Sequence, residues 1–351
     1  MKKGHVCALL VLLAAVLLLQ PAWVHKASAA DTVTLVFENN YPTKHSRLGV
    51  VTVGKWLDEV EKASGGKIKF ERHWAGEPVP AREALDGLSK GVIDGLCAFP
   101  PYYSGKVAIA DICAMPKNFK KPEDVYDLWF NSDMGKLIDE VYQKRVKVKV
   151  LFPVIFAPEN FQISKKAKKV RKFSDFKGMK IRAGGGMLME TVKAIGAFPV
   201  QTHAGEYYTA MQRGTIDAGL MATYSLETYK MWEVADEVVN PPIMNNCFVL
   251  VYMNLDKWNK MDPSLQKVLI DTAKSLFPQW IKHIGTDDAR ITKIAEEKGV
   301  EFYVLPKPEQ KKMWDATEKV WDLYVDTCQK QGFGEEAKKI REIVKTRFES
   351  E

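Results

Sequence analysis

Residues 32–38 (TVTLVFE) alternate between apolar and polar positions and are rich in β-branched side chains, which predicts a first strand. Within 50–62, Val53, Trp56, Leu57 and Val60 recur at helical spacing, and Ser64-Gly65-Gly66 stops that helix. Residues 68–74 then read as a second strand, 80–90 as a helix ending at Gly91, and 92–99 as a third strand. This βαβαβ order predicts a parallel sheet flanked by helices. The same order returns as a strand over 177–182, a helix over 187–195, a short strand over 198–201, a helix over 206–213 and a strand over 215–220. Residues 248–254 form another strand. From Pro263 a helical pattern runs through Leu265, Val268, Leu269, Leu276, Ile284, Ile291, Ile294 and Ala295 to a stop near Gly299, with Pro278 as a candidate kink. That length exceeds an ordinary globular helix. A strand over 300–305 and helices over 308–330 and 335–348 close the chain.

The repetition is close at the residue level. Residues 84–95 read ALDGLSKGVIDG and residues 208–219 read YTAMQRGTIDAG. Each is the end of a helix, a basic residue, a glycine stop and an Ile-Asp strand. Each follows a similar strand, GGKIKF at 65–70 and KGMKIR at 177–182. Two lobes of like construction produce such an echo, and a cleft between them is a place to hold a small molecule. Ligands of open α/β sheets bind beyond the carboxyl ends of strands. That rule points at 39–45, Trp74 and 99–103 in the first lobe. In the second it points at 182–187, 202–205 and 221–224.

The amino terminus changes where the protein is expected to work. Lys2 and Lys3 precede an unbroken apolar run over 6–19, and Ala27-Ser28-Ala29-Ala30 supplies small residues for cleavage after Ala29 or Ala30. Residues 1–30 are therefore read as a signal peptide and the mature chain as a free, exported protein. Cys7 lies ahead of the apolar run, where it cannot serve as a lipidation site. Cleavage removes Lys2, Lys3 and Lys26 and no acid, so the formal charge falls from +7 to +4. The one local excess of charge is Lys165-Lys166-Lys168-Lys169-Arg171-Lys172. A solvated loop or strand edge accounts for it better than a nucleic-acid surface. Cys97, Cys113, Cys247 and Cys328 fit no zinc spacing and sit in apolar settings, so buried thiols are expected, with a Cys97–Cys113 bridge left open.

KGMKIR followed by GEYYTAMQRGTIDAG (205–219) is similar to the solute-binding proteins of tripartite ATP-independent periplasmic (TRAP) transporters. Those show a strand ending in Lys-x-Arg, then Gly-Glu-x-Tyr-x-Ala-Leu-Gln-x-Gly-x-x-Asp. In the first lobe, WAGEPVPAREALDGLSKGVIDG (74–95) and YYSGK (102–106) resemble the subgroup that binds 2-oxo acids and similar carboxylates. The resemblance implies an α/β fold of the type II periplasmic binding-protein kind, two α/β lobes around a cleft with a long helix shared by both. It places lobe 1 at 31–156 and 247–287, and lobe 2 at 157–246 and 288–351. It implies that Arg182 binds the substrate carboxylate. It also implies a membrane permease as partner, a monomer or homodimer, no nucleic acid, no cofactor and no enzymatic reaction.

Two departures narrow the expected ligand. Where many relatives carry a polar ligand or metal contact, this chain reads Ala218-Gly219-Leu220-Met221-Ala222, so no metal is expected. Where sialic-acid and dicarboxylate relatives carry a second arginine, it reads Ala157-Pro158-Glu159-Asn160-Phe161. A monocarboxylate with an apolar or aromatic body fits such a site.

Among individual residues Arg182 carries the most weight, because a guanidinium offers a planar fork to a carboxylate and keeps its charge. Trp74, Phe99, Tyr102, Phe161 and Met221 are the candidate apolar walls, with Asn160 and Tyr224 as polar supplements. His45 and Arg47 lie in the first loop and are weaker anion contacts. Glu206 opens a helix, where a carboxylate caps free amides. The competing functions are the binding protein of an ATP-driven importer with the same architecture, an exported enzyme, and a sensory module. No nucleophile elbow, zinc cluster or close histidine pair supports an enzyme.

Overall fold

The computed structural model describes residues 32–42 and 46–349. The leader expected over 1–30, with Cys7, lies outside the described residues, as do His45 and the side chain of Arg47.

The described strands are β1 (Val33–Asn39), β2 (Ile68–Trp74), β3 (Gly95–Ala98), β4 (Val148–Ser164), β5 (Lys180–Ala183), β6 (Phe198–Gln201), β7 (Ala218–Ala222), β8 (Ala235–Asn254) and β9 (Glu301–Val304). They form one sheet in the order β2-β1-β3-β8-β4-β7-β5-β6, with β9 beside β8. β1, β2 and β3 are parallel, and so are β5, β6 and β7. Each lobe is thus a parallel set of three, as the repeated βαβαβ order predicts. Between the two sets run β4 and β8, antiparallel to each other and long enough to serve both lobes. The pairing of β4 with β8 shifts register repeatedly between Ile155 and Phe161.

The sequence echo has a definite structural meaning. Asp94 accepts the Val36 amide on its Oδ2 at 3.0 Å and returns its own amide to the Val36 carbonyl at 2.8 Å. Asp217 does the same to Lys180, at 2.8 and 2.7 Å. In each lobe the Ile-Asp step locks a strand onto its parallel neighbour. The preceding Gly91 and Gly214 turn the chain at φ of 76° and 73°, a region costly for other residues.

The helices are α1 (Lys55–Ala63), α2 (Ala84–Ser89), α3 (Pro122–Asn131), α4 (Met134–Val146), α5 (Gly186–Ala194), α6 (Tyr207–Gln212), α7 (Ser225–Thr228), α8 (Leu255–Lys260), α9 (Pro263–Glu297), α10 (Lys307–Thr317), α11 (Val320–Lys330) and α12 (Gly334–Glu349). A wider helical turn, Ser46–Gly54, leads into α1. At 35 residues, α9 is roughly 50 Å long. Near its start Leu269 accepts the Trp56 indole N–H at 3.0 Å, and near its end Arg290 forks onto Glu227 of α7 at 2.8 and 2.6 Å. The helix therefore ties both lobes together.

The tail, expected with lobe 2 over 288–351, packs on both lobes: α10 and α11 touch α5 of lobe 2, and α11 and α12 also reach lobe 1. Tyr324 donates to the Ile109 carbonyl at 2.8 Å, Trp321 to Pro116 at 3.1 Å and Gln331 to Ser104 at 2.8 Å. Arg347 of α12 pairs with Asp124 of α3 at 3.2 Å. The closing helices bury Val320, Tyr324, Cys328, Ala337, Ile340 and Val344 in these contacts.

All four described cysteines are buried free thiols. Half of the basic run is paired with acids: Lys168 with Asp175, Lys169 with Glu301, and Arg171 with Glu237 and Glu301. Among the described residues no His/Cys/Asp/Glu cluster could hold a metal, and no helix is long and apolar enough to cross a membrane.

Candidate functional site

Arg182 sits near the end of β5, between Val200 of β6 and Gly219 of β7. Only 3% of its surface is exposed. Nη1 donates to the Leu220 carbonyl at 3.2 Å and to the Met221 sulfur at 2.8 Å, and Nη2 donates to the Thr202 carbonyl at 3.0 Å. These partners are dipoles and a thioether. Among the described residues no carboxylate forms an ion pair with Arg182. A buried guanidinium without a counter-charge is costly.

Gly219 is what allows the ring beside it. A Cβ at 219 would fall 2.1–2.3 Å from the Tyr207 ring and hydroxyl. With no side chain there, Tyr207 lies with its ring centre 5.9 Å from the Arg182 guanidinium carbon and donates to Gln162 at 3.3 Å.

The wall opposite comes from the first lobe and the crossing strand. Phe99 meets Tyr102 and Phe156 edge-on, each at 5.7 Å, and Phe156 meets Tyr224 at 5.9 Å. Tyr102 reaches the second lobe, its ring 5.2 Å from that of His203 and its hydroxyl beside the Arg182 charge. The glycine run after β5 makes this approach feasible: a Cβ at Gly184 would press on Phe99 at 3.1 Å and on Tyr102 at 3.4 Å. Arg182, Phe99, Tyr102, Tyr224 and Met221 are therefore brought together as the sequence suggests.

Three expected contacts are placed elsewhere. Phe161 points into the second lobe's core, its ring 4.6 Å from Phe176. Asn160 spends its amide on the Val239 carbonyl at 3.1 Å and on Asn240 at 2.8 Å. Trp74 is half-buried at the end of β2 with its ring toward Gly54, outside the group that touches Arg182. The register shifts in β4 are the reason for the first two. An irregular strand loses the simple alternation that assigns side chains to faces.

Two groups not singled out from sequence complete the site. Glu159 is 3% exposed, its carboxyl pushed up to about 8 by burial, with the Arg182 charge opposing. His203 caps its turn, with Nδ1 accepting the Gly205 amide at 3.1 Å, which leaves the proton of the neutral ring on Nε2. Burial first, and then Arg182, lower it to about 4. Glu206 accepts the His203 amide at 3.1 Å, the capping role expected of it. Four buried polar atoms here have no hydrogen-bond partner: Arg182 Nε, Glu159 Oε2, Thr202 Oγ1 and His203 Nε2. Buried polar groups in folded proteins are almost always satisfied, so such a concentration sets this spot apart from the rest of the described core. The rule about strand ends points at 202–205, and no residue type there distinguishes His203 in the sequence.

A separate groove of about 300 Å³ lies behind the crossing strands, lined by residues that include Lys117, Trp321 and Arg341. Arg341 is already paired with Asp322, and the groove has no orphaned buried polar atom.

The bacterial extracellular solute-binding protein family 7 matches residues 41–327. A solute-binding protein of Albidiferax ferrireducens is 25% identical over 306 residues, 84% of this chain and 88% of that one. A TRAP periplasmic solute-binding protein from Desulfovibrio salexigens, solved with bound orotic acid, superposes with a TM-score of 0.80 at 21% identity, covering 90% of this chain and 99% of that one. A TRAP solute-binding protein from Rhodoferax ferrireducens, in complex with copurified benzoate, gives 0.76 at 20% identity, covering 90% and 98%. With the family matching most of its length over a fold of the same kind, this chain belongs to the bacterial extracellular solute-binding protein family 7.

Proposed function

We propose that the chain is the extracytoplasmic receptor of a TRAP-type secondary transporter, closing on a small organic acid and delivering it to integral membrane permease subunits. The observation that carries this reading is the buried, unpaired charge of Arg182, ringed by orphaned polar atoms and aromatic walls. A carboxylate supplies what that site lacks: a counter-charge and acceptors for a planar fork of donors. The rings of Phe99, Tyr102, Phe156 and Tyr224 suit an apolar or aromatic body, and the acids named with the two solved relatives are of that class. Neither a metal nor a catalytic group is needed, because binding and release alone move the solute.

Closure is a hinge motion in this reading, with the lobes pivoting where β4 and β8 cross near 156–157 and 246–247. The register shifts between Ile155 and Phe161 put irregular backbone there. Export from a precursor cleaved after Ala29 or Ala30 belongs to the same proposal.

Thermal-shift titration with a panel of aromatic and aliphatic monocarboxylates tests it. A ligand that binds only the folded chain raises its melting temperature with concentration. At least one acid is expected to do so in the wild type and to fail in Arg182→Ala. No shift with any acid, or equal shifts in the variant, contradicts the reading.

A further inference from the structure

Among the described residues, Glu159 is the buried carboxylate that lies under the influence of the Arg182 charge, and its placement is unusual for a site meant to hold an acid. It stands on β4 opposite Ala222 of β7 and Met244 of β8, two residues that offer it no charge. Its Oε2 is buried without a hydrogen-bond partner. The titratable groups that face it come from every side: Arg182 on β5, Tyr102 and Cys113 from the first lobe, Tyr207 on α6 and Cys247 on β8. Burial keeps the tyrosines and cysteines in their neutral forms, so Arg182 is the only charge among them.

Resting on the receptor reading above, we propose that Glu159 is a specificity-determining residue, which keeps a proton when the site is loaded and offers it as a hydrogen bond to an oxygen of the acid bound at Arg182. The geometry leaves little else for it. An ionised Glu159 beside a bound carboxylate would place two anions against one buried cation. A protonated Glu159 is a donor, and it satisfies the orphaned oxygen without adding charge. The loaded site then holds one positive and one negative charge. It accepts singly charged acids and leaves a second carboxylate unbalanced.

This arrangement couples binding to protons. In the empty site Arg182 favours ionisation of Glu159, which titrates at about 8. A ligand carboxylate cancels that influence and adds a negative neighbour, so the loaded site holds its proton more tightly. Binding therefore takes up a proton at and above that pH. Affinity is flat below it and falls by up to about tenfold per pH unit above it.

The test is calorimetric titration of the full mature chain between pH 6 and 10 with benzoate, mandelate, phenylmalonate and phenylglycine, in two buffers of different ionisation enthalpy. The variants are Glu159→Gln, Glu159→Leu and Arg182→Ala. The wild type is expected to bind the singly charged acids with proton uptake above about pH 8 and to disfavour phenylmalonate. Glu159→Gln, which keeps a donor and cannot titrate, is expected to bind at pH 7 within a few-fold of wild type with the pH slope gone. Glu159→Leu is expected to bind about tenfold more weakly at pH 7, the usual worth of one hydrogen bond. A wild-type affinity that does not change with pH, or a slope that survives in Glu159→Gln, overturns the proposal. So does an affinity that rises with pH together with preference for phenylglycine, which would mean an ionised Glu159 facing a ligand ammonium. Failure of the receptor reading looks different: no acid binds the wild type at any pH, or Arg182→Ala binds them equally, and the proposal falls with it.

Discussion

Asp111 of the first lobe accepts the backbone amide of Met187 in the second, at 3.1 Å on its Oδ2. Its other oxygen takes the Ser104 hydroxyl at 2.6 Å. The first lobe thus supplies a carboxylate to the free N-terminus of α5, where such a group is favoured by the helix dipole and the unpaired amides. The contact depends on Gly186, whose φ is 49° and whose Cβ, if it had one, would fall 2.1 Å from Asp111 Oδ2. Gly186→Ala is expected to part the lobes here and to weaken solute binding at least tenfold, with a stability loss of about 1–3 kcal/mol from the strained backbone. Paired calorimetric and thermal measurements check this, and unchanged affinity would detach the contact from the closed state.

Arg182→Ala is expected to weaken binding by about 2–5 kcal/mol, because the bound carboxylate would be left buried and unpaired. Arg182→Lys keeps the charge and loses the fork, and it is expected to fall between wild type and alanine. Titration of all three proteins with one acid ranks them.

Gly219→Ala puts a methyl group into the space of the Tyr207 ring. The ring has to move, and the Arg182 guanidinium carbon lies 5.9 Å from its centre. Overpacking of this kind costs about 1–3 kcal/mol of folding stability. Binding is expected to suffer more than folding, so affinity and melting temperature should be read together.

The empty protein has a pH signature of its own. Glu159 is raised from its ordinary 4.5 to about 8 in the folded chain. The folded state therefore holds a proton that the unfolded state releases between those values. The contribution of Glu159 to stability is greatest below about pH 4.5 and is lost as pH rises through about 8. Glu159→Gln, which cannot ionise, is expected to match wild type near pH 4, to gain on it from about pH 4.5 to about 8, and to keep a level advantage above that. Denaturant melts across that range measure the difference, and a constant gap would show that Glu159 does not titrate this way.

Asn118 closes the back of the crossing. Its amide donates to the Cys113 and Asn246 carbonyls at 3.1 and 3.0 Å, and its oxygen accepts the Asn245 and Asn246 amides, each at 3.0 Å. Asn118→Ala leaves buried backbone groups without partners and is expected to cost about 2–4 kcal/mol of stability in a denaturant melt.

The parts legible in the sequence are those with a regular period. β1, β2, β6 and α5 lie where alternation or helical spacing puts them, and the Ile-Asp echo marks Asp94 and Asp217 as equivalent positions in two lobes. β4 gave no such signal. Its residues are buried nearly throughout, so VKVLFPVIFAP shows an apolar run in place of alternation, with Pro153 inside it. α3 and α4 precede β4 and likewise have no counterpart among the elements expected from the sequence. Within the site, Arg182 stands out in the sequence through its place at the end of KGMKIR, which the family resemblance marks as the carboxylate contact. Glu159 does not, since an acidic residue defaults to the surface and bulges hide which way β4 faces it. His203 was a lone histidine in a loop, and only packing shows that its ring is held against Tyr102.

The central claim is that the guanidinium of residue 182 is the anchor for the solute's acid group. A crystal structure of the mature protein grown with the acid that most raises its melting temperature tests this most directly. The account predicts both carboxylate oxygens within hydrogen-bond reach of Arg182, about 2.7–3.0 Å from its nitrogens. A solute bound with its acid group away from Arg182, with that side chain still turned to the Leu220 and Thr202 carbonyls alone, would contradict it.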